Sequence, residues 1–542
     1  MFKNLAWSAC TMVKVLPRGV RAMTTTPGLP LPPALRTITE RLQFPYRGPR
    51  KVGRFETYEV DLSDWSLSLS DANPCIWVQA SDLEALPPPK LAQSLRDVVR
   101  ERGWQNSTVI LFVDGKIRPL RAHLPPALPT MVAFDDKQQA RIQRADSPTP
   151  VTLDILVHQM PRSQLAPYET RMPVTGGRFF GRQREIDQVL RHPNTNYLFI
   201  GIRRIGKTSL LKEIKRRIDR IDPPDENQMR RLYIDCTVIG SGEEFFQTLA
   251  SELDPSELKL LLGRAAQARR YQDLMFDRFA SLHGGPVTFL VDELDRLLTI
   301  EDRGDLFDVL GAVSAAGKAR FIMAGFRQAM EASTNQQLPF LSRAEPVHLG
   351  RLGRSVVEHM VLAPMKQLRI DFQNQDEIVD RIFRETAGLP NYVQFYCKAL
   401  LERLDEEDRG SKDTATITEK DIQLVYENPK FRDFVLDTFM SNTEPLERAL
   451  VYALVAKDQG QIGQIFSQPM MDDILKEREL PLKYERLDRA CRNLEVAGVF
   501  NQIGKDFEFA VPLLQRMLYE TRHVDFLFAK AREEVLDEKV LL

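Results

Sequence analysis

The stretch "YLFIGIRRIGKTSLLKEIKRR", which begins at Tyr197, constrains this chain more than any other. Tyr197–Ile200 is an apolar run that reads as a buried strand, and a helical pattern extends from Thr208 to Ile218. Between them stands Gly201-x-x-x-x-Gly206-Lys207-Thr208. Glycines at those places let the backbone wrap phosphate oxygens, and the N–H groups that open the helix offer them positive dipole ends. Lys207 is placed to reach β- and γ-phosphates, and the Thr208 hydroxyl to hold Mg²⁺. The candidate cradle is Gly201, Arg203, Arg204, Ile205, Gly206, Lys207, Thr208 and Ser209.

A second motif, "VTFLVDELDRLL", is an apolar strand ending in Asp292-Glu293. Open α/β sheets bind ligands at the carboxyl ends of their strands. Asp292 is expected in the Mg²⁺ shell, and Glu293 is expected to polarise the attacking water as general base. A strand-to-helix cap would explain one of these carboxylates and leave the other over. A further strand, Leu232–Cys236, falls between the two motifs, as expected of ATPases whose catalytic glutamate adjoins the metal-binding aspartate. No Asn/Thr-Lys-x-Asp guanine-reading motif occurs, so ATP is expected rather than GTP.

At 542 residues the chain should hold several domains, because single cores rarely grow beyond ~250–300 residues. Residues 1–53 read as a disordered leader and linker: no acidic residue precedes Glu40, and prolines crowd positions 27–33. The first residues resemble a transit peptide in composition, but an over-called start with Met23 as the true first residue is the favoured reading. Residues 54–170 read as an α/β domain of open role, with "NPCIWVQAS", "STVILFVDG", "TMVAFDD" and "VTLDILVHQM" as strands and "PKLAQSLRDVVRERGW" as a helix. There Asp114 is read as a turn-forming Asp-Gly in preference to a catalytic carboxylate. Residues 171–350 alternate strands and helices as a parallel sheet does, 351–412 form a helical lid, 413–530 a winged-helix domain and 531–542 a tail. The expected fold class is therefore α/β: a P-loop parallel sheet with a lid, an N-terminal α/β domain and a C-terminal winged helix-turn-helix.

The segments "FFGRQREI", "GIRRIGKTSLL", "FLVDELDRLL", "FIMAGFRQAM" and "TAGLPNYVQFYCKALLERL" follow one another in an order that resembles STAND-class and archaeal-type AAA+-related ATPases. These are in turn similar to origin-recognition ATPases. The resemblance implies that Phe179, Gly181 and Arg182 lie near the adenine, that Arg327 is a polar sensor on the strand after the acidic pair, and that Gly388 and Pro390 of the lid pack beside the nucleotide. Read without it, Gly181 is a turn, Arg327 a solvated arginine and Gly388-Leu389-Pro390 a helix stop. The doublet Arg203-Arg204 either senses phosphate or a neighbouring subunit, or belongs to a solvated loop. The Met-His-Asp motif of the apoptotic and plant-resistance members is missing, which removes the basis for a winged-helix histidine switch.

In the C-terminal block, "PLERALVYALVA", "QPMMDDILKE" and "KYERLDRACRNLEVAGVF" read as helices and "FNQIGKDFEFA" as a hairpin. Arg486, Arg489 and Arg492 share one side of the third helix, but Asp488 and Glu495 interrupt the basic stripe that a DNA reader needs. The net charge of −1 adds no global basic excess. Five scattered cysteines without Cys-x-x-Cys spacing suit a reducing compartment, and no apolar run approaches the ~18 residues of a membrane span. The expected protein is a cytoplasmic, Mg²⁺-dependent, slowly hydrolysing ATPase that acts as a regulatory switch, with a protein partner or further copies of itself as its target. A DNA-handling ATPase acting through the winged helix, and a nucleotide-locked scaffold, are the alternatives.

Overall fold

The computed structural model describes residues 33–63, 65, 67–69, 72–124, 130–222, 231–252, 271–283, 285–334, 338–407, 414–521 and 523–540. The transit-peptide-like segment and Met23 lie outside the described residues. The chain divides into two compact units, one of residues up to Leu62 with 70–151, the other of Ser63–Leu69 with everything from Thr152 onward.

The first unit is a five-stranded sheet of β1 (Tyr46–Val52), β2 (Phe55–Val60), β3 (Asn73–Val78), β4 (Val109–Val113) and β5 (Met131–Phe134), in that order. β1–β3 are antiparallel and β3–β5 parallel. Every residue of β4 and β5 is buried, as parallel strands covered on both faces require. The helix Pro88–Glu101 packs Leu91, Ala92, Leu95, Val98 and Val99 onto them, the spacing of one helical face. Asp114 accepts a hydrogen bond from the Trp77 indole at 2.8 Å beside Gly115, and burial pushes its carboxyl pKa up.

Two expectations fail in this half. A helix, Pro33–Leu42, and β1 lie inside the segment expected to be a disordered leader. β1 is an edge strand with one buried residue, Val52, so it lacks the apolar alternation by which strands are read. "VTLDILVHQM" belongs to a helix, Pro148–Val157, and not to a strand. The buried residues Thr152, Leu153, Ile155, Leu156 and Val157 spread around the helix, so the run has no periodicity to separate the two, and residues from Thr152 on belong to the second unit.

The second unit is built on a parallel sheet of β6 (Tyr197–Ile200), β7 (Arg231–Asp235), β8 (Val287–Asp292), β9 (Ala319–Gly325) and β10 (Glu345–His348), in the spatial order β10-β6-β9-β8-β7. This is a P-loop NTPase sheet. The strand expected at Leu232–Cys236 forms as β7 and falls between the two motifs along the chain, while in the sheet β9 lies between β6 and β8 and β7 takes the outer edge. Burial agrees with this order: β9 is buried at all seven positions, and β7 is exposed at Asp235. Phe245, Phe276, Phe279, Phe289, Phe307 and Phe321 fill the core on one side of the sheet.

Beyond the sheet come the helices Arg354–Gln367, Gln375–Thr386 and Pro390–Glu407, with a parallel pair β11 (Ile370–Phe372) and β12 (Ala415–Ile417) that extends this layer past residue 412. Helices Glu419–Tyr426, Pro429–Asn442, Pro445–Asp458, Gln468–Glu477 and Tyr484–Val496 follow. A small antiparallel sheet joins β13 (Ile465–Phe466), β14 (Phe500–Ile503) and β15 (Asp506–Phe509), with β15 in the middle. The expected tail is instead the end of a helix, Val524–Val540, that packs on Pro445–Asp458 with Val535 fully buried.

Candidate nucleotide-binding site

Strand β6 delivers the loop and the helix Lys207–Ile221 carries it away. Gly206 caps that helix at φ 100°, a backbone that side-chain-bearing residues rarely adopt. The Lys207 side chain is buried, and its Nζ donates to the carbonyl oxygens of Gly201 at 2.8 Å and Ile202 at 3.1 Å. Burial lowers its pKa, and the opposing pull of Glu293, Asp295 and Asp292 puts all three carboxylates within electrostatic reach of the ammonium. Thr208 is half-buried beside it. Ser209 serves a different purpose: its Oγ accepts from the Val174 amide at 3.0 Å, and Glu213 one turn on accepts from the Gly176 amide at 2.8 Å. Together they latch segment 174–176 along the helix.

At the end of β8, Asp292 is 2% exposed and accepts from the Tyr233 hydroxyl at 2.8 Å and the Glu293 amide at 3.0 Å. Glu293 takes a left-handed backbone, φ 53°, to open a short 3-10 helix, Leu294–Thr299. A non-glycine residue held there is costly and persists where the surroundings impose it. Burial raises the Glu293 pKa against the pull of Lys207, which makes it a stronger base than a solvated glutamate. Two residues of this edge escaped the sequence reading. Tyr233 fixes the Asp292 carboxylate from the next strand. Asp295 accepts from the amides of Phe326 and of Gln328 (2.9 Å), and so ties the acidic loop to the end of β9. A tyrosine in an edge strand and a third acid in "DELD" carry no signal until the sheet order is known.

These elements face a cleft of about 450 Å³. Arg203, Arg204, Ile205, Gly206, Lys207, Thr208, Ser209 and Glu293 line it, and Arg182 and Pro390 close it from other segments. Its apolar wall includes Val174, Phe179, Leu352 and Met360. Arg182 donates to the Gly350 carbonyl and to Glu185, with its pKa lowered by burial. Gly388 stands at φ 70°, where an added Cβ would lie 2.3 Å from the Leu352 carbonyl oxygen, and this close approach holds the Pro390 helix start against the wall.

Residues 164–419 match the family model of the novel STAND NTPase 1 domain. This segment is similar to STAND-class P-loop NTPase domains. No curated protein sequence matches the chain. Similar solved structures include a Walker-type ATPase of Pyrococcus abyssi, 15% identical with a TM-score of 0.47, covering 65% of this chain and 99% of that one. The ORC2 protein of Aeropyrum pernix in ADPNP–ADP complexes is 12% identical with a TM-score of 0.49, covering 69% and 98%. The RuvB Holliday-junction branch-migration motor of Thermotoga maritima is 12% identical with a TM-score of 0.37, covering 66% and 99%.

Arginines of this domain also bind the C-terminal helices. Arg327 is not among the residues lining the cleft. Its guanidinium donates to both carboxylate oxygens of Glu447, at 2.7 and 2.6 Å, and to the Asn442 carbonyl at 2.6 Å. In this conformation it is a clamp on the C-terminal helices, held by a buried carboxylate 120 residues on. Arg203 and Arg204 line the cleft and also reach the same helices. The Arg203 amide donates to Asn442 Oδ1 at 2.8 Å and its side chain to the Ser441 carbonyl at 3.3 Å, while Arg204 donates to Thr438 Oγ1 at 2.8 Å and lies over the Phe434 ring.

Proposed function

We propose that the chain is an ATP-binding, slowly hydrolysing regulatory switch that couples nucleotide state to contact with a protein partner or with further copies of itself. The observation that carries this reading is the shared wiring of the cleft and the C-terminal helices. The loop that would cradle phosphate (Arg203, Arg204) and the helix start that follows β9 (Arg327) are both hydrogen-bonded to residues 438–447. A bound nucleotide would hold the loop and these helices together against the core, and exchange or hydrolysis would release them. Lys207, now folded on to two loop carbonyls, would turn to the β- and γ-phosphates. Glu293 would take the proton of the attacking water. The residues fit Mg²⁺: Asp292 is a buried carboxylate with lone pairs to spare at the strand end, next to Glu293, and Thr208 and Glu293 line the cleft. Asp292 and Thr208 would hold the ion, which when bound polarises phosphate oxygens.

The small sheet with its preceding helices supports a winged-helix reading of the C-terminal block. DNA handling is the weaker reading, since Arg492 is paired with Asp488 at 2.5 Å, which interrupts the basic face. Among the described residues no helix is long and apolar enough to cross a membrane, and the proposal places the protein in the cytoplasm. The test is limited proteolysis and ATPase assay of three full-length proteins. ATP should protect residues 429–458 in the wild type and in Glu293→Gln, which should lose hydrolysis by roughly 10²–10⁴-fold. Lys207→Ala should lose both, with ATP affinity down tenfold or more, about 1.4 kcal/mol. Protection by ATP that persists in Lys207→Ala, or is absent in the wild type, refutes the coupling.

A further inference from the structure

Asn391 is the second residue of the helix Pro390–Glu407, is 8% exposed and lines the cleft. Its Nδ2 is buried without a hydrogen-bond partner. Native folds leave few such donors, because an unpaired buried amide forfeits its bonds to water. The polar groups beside it in the fold are already satisfied. Gln394 Oε1 accepts from the Glu169 amide at 2.6 Å, and the Thr386 hydroxyl donates to the Ile382 carbonyl at 2.7 Å. The Gly388 carbonyl accepts from the Leu352 amide at 2.9 Å, which seats the Pro390–Asn391 corner against the apolar side of the cleft. Phosphates are drawn to Lys207 and the helix start, and Asn391 lines the same cleft from the lid, beside Pro390.

We infer that Asn391 reads the edge of the base and selects adenine over guanine. Its Nδ2–H donates to the purine N7 and its Oδ1 accepts from the exocyclic N6 amino group, the two-point match that a carboxamide makes to adenine. Guanine presents an acceptor at both places, so it keeps at most one of the two bonds. The inference rests on the nucleotide site proposed above and adds to it the group that discriminates between bases.

Isothermal titration of the full-length protein with ATP, ITP, GTP and tripolyphosphate tests it. The wild type should bind ATP tighter than ITP or GTP by a factor on the order of ten or more. Asn391→Leu should weaken ATP by about that factor, leave GTP nearly unchanged and leave tripolyphosphate unchanged. Asn391→Asp, which keeps the shape and loses the donor, should also weaken ATP while tripolyphosphate binding reports an intact loop. A wild-type ATP/ITP ratio near one overturns the inference without any variant, as does an equal loss of ATP and GTP affinity in Asn391→Leu. Tripolyphosphate that fails to bind the wild type instead removes the nucleotide site itself, and Asn391 with it.

Discussion

Replacing Glu447 with leucine should open the C-terminal helices by an amount that follows from its contacts. Glu447 is 2% exposed, and its carboxylate receives both guanidinium nitrogens of Arg327 as well as the Glu444 amide at 2.9 Å. Without it Arg327 retains the Asn442 carbonyl and Glu444, which is mostly exposed and 3.3 Å away. Removing one partner of a buried pair costs about 3–5 kcal/mol. The Arg327 side chain is 16% exposed, so water relieves part of the lost pairing and the lower bound, about 3 kcal/mol, applies. That corresponds to a roughly 150-fold larger opening constant for the helix Pro445–Asp458. Amide hydrogen exchange of the full-length protein reads this directly, and the rise should be confined to residues 429–458. Arg327→Met combined with Glu447→Leu should recover most of the protection, since no charge is then left unpaired. An exchange rate within about fivefold of wild type in Glu447→Leu would show that the pair does not hold these helices.

Tyr233→Phe removes one donor from Asp292. The Mg²⁺ concentration for half-maximal ATPase should rise roughly 3–10-fold, the value of one hydrogen bond, while metal-free tripolyphosphate affinity stays constant; an unchanged Mg²⁺ dependence would reduce Tyr233 to packing. Gly388→Ala sets a Cβ against the Leu352 carbonyl at positive φ and should destabilise the lid by about 2 kcal/mol or more, whereas Gly350→Ala, with open space around it, should be silent in the same melting experiment. Asp458, whose carboxyl is pushed by burial from 3.8 up to about 6, makes a contribution fully present below pH 3.8 and lost as pH rises through about 6. Asp458→Asn should therefore flatten the pH dependence of stability between those values, and an unaltered slope measured by denaturation would exclude this group as its source.

What the sequence alone determined are the features carried by contiguous residues. The strand–loop–helix around Gly206-Lys207 and the acidic pair at the end of β8 are legible because their backbone and side chains act within a dozen positions. The lid corner at Gly388–Pro390 is legible for the same reason, as glycine and proline state their own dihedral needs. Tertiary structure decided everything that depends on which segments meet. Asp292 finds Tyr233 only because β7 pairs with β8, and in the sheet β9, buried throughout, lies between β6 and β8. Arg327 was legible as an arginine after a strand, yet its partner lies 120 residues away on a helix whose approach no local pattern encodes. The edge strand β1 and the helix Pro148–Val157, whose buried residues spread around its axis, escape the sequence because amphipathic periodicity exists only where one face meets water and the other the core.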